Sequence, residues 1–182
     1  MAETYDINNL TLDSNEFVTV QPGDYHFKVV GHEIDYYSGS SEKIPQGTQI
    51  VVTYLEVPFI DEEGNLQIAN IRNNLNIYKK AMFVVRQFVE CIGLVGEKGR
   101  ESVNLDDMDG RTGVCSLICN VYNGNEYNNV DEFYAPSKAP KVTDNDKAWE
   151  EYLKTKEIEA EAKKQLMGTA FTPADDKENM PF

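Results

Sequence analysis

Six tyrosines and six cations have the residue types needed to hold a flexible polyanion carrying stackable rings. Tyr36, Tyr37, Tyr54, Tyr78, Tyr122 and Tyr127 could take bases on their faces. Lys28, Lys43, Arg72, Lys79, Lys80 and Arg111 could meet phosphates, and Asn74 stands beside Arg72 in a row of amides. A stacked base contributes about 1–3 kcal/mol whatever its identity, so three or four exposed rings bind without a large positive field. That chemistry describes sequence-independent binding of single-stranded DNA, with DNA as the partner and no cofactor.

Other reactive arrangements are weaker. Cys115 and Cys119 fall on one strand face but two residue pairs apart, which is poor spacing for zinc. Asp106-Asp107-Met108-Asp109-Gly110 resembles a calcium loop but lacks the alternating register and the distal Glu. His26 and His32, six apart, are expected together on the outer face of the first strand, meeting solvent. No phosphate-cradling glycine loop and no acid–base pair of recognisable spacing is present, so neither an enzyme nor a metal site is expected.

Charge bears on the same question. Residues 1–139 carry 10 Lys/Arg against 21 Asp/Glu, a net of −11; residues 140–182 carry 7 against 10, a net of −3. A domain so acidic must gather its few cations on one face to hold nucleic acid. The competing reading is an acidic adaptor or DNA mimic that binds a host or phage protein and no DNA. The start, Met1-Ala-Glu-Thr-Tyr-Asp, lacks the basic and apolar regions of a secretory signal, and no long apolar run is present. The expectation is a cytoplasmic protein without a membrane span, its three cysteines reduced.

The elements that must position these residues follow from periodicity. Residues 1–16 read as a flexible arm. Pro22-Gly23-Asp24 is a turn feeding a strand in which Tyr25, Phe27 and Val29 share one face. A loop holding Tyr36 and Tyr37 leads to a second strand, Gln49 to Val57. In the third strand, Leu66 to Tyr78, Ile71, Leu75 and Ile77 face the core around Asn73, while Asn70, Arg72, Asn74, Asn76 and Tyr78 share the opposite face. The period then lengthens: Ala81, Val84, Val85, Phe88, Val89 and Ile92 mark one amphipathic helix, ended by Gly93. Strands Arg111–Tyr122 and Asn125–Tyr134 meet at Asn123-Gly124, a hairpin signal that pairs Tyr122 with Asn125, Asn120 with Tyr127 and Leu117 with Val130. That register sends Leu117, Cys119, Val121 and Val130 inward.

The fold expected is mainly β with one inserted helix, an OB-fold-like five-stranded barrel over residues 17–136. A linker and C-terminal helix occupy 137–168, the helix running from about Lys147 to Met167, capped by Asp144 or Asp146 and ended by Gly168. Trp149 is expected to anchor it on the domain or on a second subunit of a homo-oligomer. Residues 169–182 form a disordered acidic tail with a Pro-Phe tip.

That tail ends Asp175-Asp176-Lys177-Glu178-Asn179-Met180-Pro181-Phe182. It resembles the acidic tails closing bacterial and phage single-stranded-DNA-binding proteins. The resemblance implies that Asp175, Asp176, Glu178, Met180, Pro181 and Phe182 recruit replication or recombination proteins; the tail's negative charge adds the expectation that it competes with DNA. Pro22-Gly23-Asp24-Tyr25, Tyr37-Ser38-Gly39-Ser40, Phe88-Val89-Glu90-Cys91-Ile92-Gly93 and Tyr122-Asn123-Gly124-Asn125-Glu126-Tyr127-Asn128-Asn129-Val130 are similar to a phage family catalogued as a domain of unknown function and regarded as single-stranded-DNA-binding. Similar members of that family often carry Lys near the closing hairpin, where this chain has Asn128, Asn129 and Asp131. The location implied is the cytoplasm of a bacterial host.

Overall fold

The structure, a computed structural model, describes residues 18–95 and 103–170, with side chains through 167. The expected arm (1–16) and the recruiting residues 175–182 lie outside the described residues. Five strands, β1 (Gly23–Tyr36), β2 (Gln49–Ile60), β3 (Leu66–Ile77), β4 (Thr112–Tyr122) and β5 (Asn125–Tyr134), form one antiparallel sheet in the order β3-β2-β1-β4-β5. Helix α1 (Met82–Cys91) lies between β3 and β4, and α2 (Asp146–Ala170) follows β5. The sheet is open, because the edge strands β3 and β5 share no ladder among the described residues.

The alternation read in β1 and β2 produces the core: Tyr25, Phe27, Val29, Val51, Leu55 and Val57 are buried, joined by Ile71 and Leu75 of β3. α1 adds Val85, Phe88, Val89 and Cys91, and the Phe27 and Phe88 rings each meet Phe133 edge-on at 5.7 and 5.1 Å. Gly93 takes φ 72° and stops α1 as expected. The β4–β5 register is the one the Asn-Gly signal implies, with Leu117 opposite Val130, Asn120 opposite Tyr127 and Tyr122 opposite Asn125. Asn123 and Gly124 both sit at positive φ, 51° and 80°, as that turn requires.

Four expectations are corrected. Val121 is 69% exposed, because the hairpin tip runs past the end of the core. α2 continues through Gly168 to Ala170, since a glycine inside a helix costs only about 1 kcal/mol relative to Ala. Asp144 does not serve as a simple cap: it accepts the Asp24 N–H at 2.9 Å while its own N–H donates to the Asp24 carbonyl at 2.8 Å. The histidines part company, because a bulge between Val29 and Gly31 inverts the side-chain phase of β1. Before it His26 faces outward; after it His32 stands opposite Thr53 on the core side.

The outer face of the sheet is covered in part by the start of α2. Trp149 stacks between His26 (5.2 Å) and Tyr152 (5.4 Å), and the Tyr152 hydroxyl donates to Glu56. Residues 143–152 therefore contribute Thr143, Asn145, Ala148 and Tyr152 to the buried interior.

Candidate nucleic-acid interface

Curvature of the open sheet brings the free edge of β3 close to the β4–β5 hairpin. Between them lies a cleft of about 530 Å³, lined by Asn70, Arg72, Asn120, Tyr122, Tyr127 and Asn129 together with Val18, Thr19, Ile71 and Asn128. Alternation explains the membership: Asn70 and Arg72 point away from the core on β3, as do Asn120 and Tyr122 on β4 and, on β5, Tyr127 opposite Asn120 and Asn129 opposite Ile118. Tyr122 is 69% exposed, and Arg72, Asn70, Asn120 and Asn129 are exposed with it. The cleft thus offers an aromatic face, one guanidinium and three carboxamides.

Asn128 is spent on the fold. It accepts the Val20 N–H at 2.8 Å and donates to the Val20 carbonyl at 2.9 Å, while the Cys119 thiol donates to the same carbonyl at 3.1 Å. These bonds hold residues 18–20 against β5 at the cleft wall.

The remaining predicted residues are scattered. Tyr54 is the direct cross-strand partner of Arg72 on the outer face, but its hydroxyl donates to Glu33, and that bond raises its pKa. Asn74 lies two residues further along the same face. Tyr78 is half-buried where β3 gives way to the short turn bearing the exposed Lys79 and Lys80. Tyr36, 63% exposed, stands at the end of β1 opposite Gln49. Tyr37 folds over Gly39 and accepts the Ser41 N–H at 2.9 Å; Lys43 is exposed in the same loop. Lys28 is half-buried on the outer face of β1, opposite Glu56 and Thr112. Arg111 is employed elsewhere: its Nε donates to the Asp107 carbonyl at 3.0 Å and a terminal nitrogen to the Gly93 carbonyl at 3.2 Å, tying the loop before β4 to the end of α1.

Two arrangements escaped sequence reasoning. The calcium-like segment supplies a clasp for His32, whose Nδ1 lies 2.8 Å from Asp109 and Nε2 3.0 Å from Asp106. The Asp109 bond is the largest cause of a raised His32 pKa. The bulge that turns His32 toward this segment leaves no mark in hydrophobic periodicity. The second is an apolar cleft of about 450 Å³ beside α1, where Met82 and Phe83 are 44% and 66% exposed.

Among the described residues no three His, Cys, Asp or Glu side chains converge as a metal site, and no helix is long and apolar enough to cross a membrane. No protein-family model matches the chain, and a search of curated proteins gives no match.

Proposed function

We propose that this chain binds single-stranded DNA without sequence preference, in phage DNA replication or recombination in the cytoplasm of a bacterial host. The observation that carries the proposal is the meeting of Arg72 with Tyr122 and Tyr127 in one open cleft, from strands some fifty residues apart. The strand order of the open sheet, with a helix between β3 and β4, is consistent with an OB-fold, a partly open barrel whose face and loops take oligonucleotides, and so supports the reading. The acidic tip, residues 175–182, recruits replication or recombination proteins. The sequence resemblances described above support both parts.

The test is fluorescence anisotropy of a labelled oligo-dT titrated with the full chain and with Arg72→Ala. Binding by the wild type that weakens at least fivefold in the variant supports the proposal; absence of binding at micromolar protein ends it. In that event the acidic adaptor becomes the better reading. It draws on the −11 charge of residues 1–139 and on the exposed Met82 and Phe83 beside the apolar cleft at α1, a surface suited to a protein partner.

A further inference from the structure

The cations of the described domain are dispersed. Arg86 pairs with Glu90 at 2.8 Å, Arg111 holds backbone carbonyls, Lys28 is half-buried, and Lys43, Lys79 and Lys80 stand on loops away from the cleft. Arg72 is the only cation among the described residues that line the cleft. Its other polar groups are neutral: the exposed carboxamides of Asn70, Asn120 and Asn129 and the phenols of Tyr122 and Tyr127. A carboxamide presents a donor and an acceptor side by side, and rotation about its last bond exchanges them. The Watson–Crick edge of every nucleobase also carries a donor and an acceptor, so the same amide can pair with any of them.

We infer that this cleft holds a nucleic acid by its unpaired bases and neutralises about one phosphate, so that binding is nearly insensitive to salt. The inference rests on the single-strand reading above and adds which part of the strand is recognised. Duplex DNA, whose Watson–Crick edges and ring faces are occupied, is excluded by the same chemistry. Tolerance of sequence comes from amide rotation and ring stacking, and a domain with few cations can still bind, because phosphate neutralisation contributes little.

The experiment uses the full chain and three labelled 20-mers: oligo-dT, oligo-dA and an abasic strand of the same length with its phosphates intact. Each is titrated at 50 and 200 mM NaCl. One neutralised phosphate predicts an affinity loss of about threefold across that range, whereas three neutralised phosphates predict about twentyfold. The expected result is about threefold for both base-bearing strands, with the abasic strand at least tenfold weaker and Asn120→Ala/Asn129→Ala weakening oligo-dT but not altering its salt ratio. Equal binding of the abasic strand, or a loss near twentyfold, overturns the inference while leaving the single-strand reading intact. Binding of none of the strands overturns that reading itself.

Discussion

The side chain of Asn145 donates to the carbonyl of Pro58 at 2.8 Å, placing an amide from the start of α2 where the β1–β2 ladder would otherwise continue. Proline has no N–H to give to β1. Asn145 supplies the missing donor: the same side chain donates to the His26 carbonyl at 3.0 Å and accepts the His26 N–H at 2.8 Å. Thr143 completes its acceptor with a hydroxyl bond of 3.1 Å.

Asn145→Ala should therefore strip partners from both carbonyls and the His26 N–H at a site only 3% exposed. Unpaired buried groups cost about 1–3 kcal/mol each, with incomplete additivity, so a loss of about 2–4 kcal/mol is expected. Urea unfolding checks it. A midpoint unchanged from wild type would show that the amide does not stitch the strands.

The His32 clasp makes a pH prediction. Both ring nitrogens face carboxylate oxygens, so both bonds can form only when the ring is protonated, and its pKa lies above the usual 6.5. A raised folded-state pKa means that the contribution to stability is complete below about pH 6.5 and is lost as pH rises through the folded value. The gap in melting temperature between wild type and His32→Gln should be widest near pH 6 and close toward pH 9. Comparing two proteins that share the same acidic background isolates the clasp from general charge repulsion. A gap that grows with pH would contradict the geometry.

Thiol chemistry should be unequal. Burial pushes the Cys91 thiol up to about 11 and raises Cys115 strongly, whereas Cys119 is only half-buried. The thiolate is the reactive form. At pH 8 the native protein should release at most one equivalent of chromophore quickly from a disulfide reagent, from Cys119, and three after unfolding. Rapid loss of all three thiols in the native state would show that the sheet opens readily.

The cleft separates the tyrosines. Tyr122→Ala should weaken oligo-dT by about 1–3 kcal/mol, roughly five- to 150-fold, while Tyr36→Ala, at the far end of β1 on the other side of the sheet, should change it by less than about threefold. Anisotropy decides. The reverse ranking would move the binding face to the core side of β1 and β2.

Much of this architecture was legible in the residues alone, for a local reason. Alternation in Tyr25, Phe27 and Val29 or in Ile71, Leu75 and Ile77 is set by strand geometry over a few residues, and the Asn123-Gly124 turn imposes a register that then propagates along the hairpin. The lengthened period from Ala81 to Ile92 likewise announces α1. Arg72 among its amides was visible as an outward row.

What tertiary structure alone decided depends on contacts between distant segments. A single extra residue at Val29–Gly31 reverses the phase of β1, so counting by twos placed His32 on the wrong face and could not foresee Asp106 and Asp109 closing on it. The insertion of Asn145 between His26 and Pro58 joins positions over eighty residues apart. Whether Arg72, paired with Tyr54 across the β2–β3 ladder, would also meet Tyr122 depended on how far the sheet curls, because the edges β3 and β5 are related by accumulated twist and not by any pattern within either strand. Apart from β1 beyond its bulge and the tip of β4, the sequence determined which side chains face outward; curvature determined which of them share a cleft.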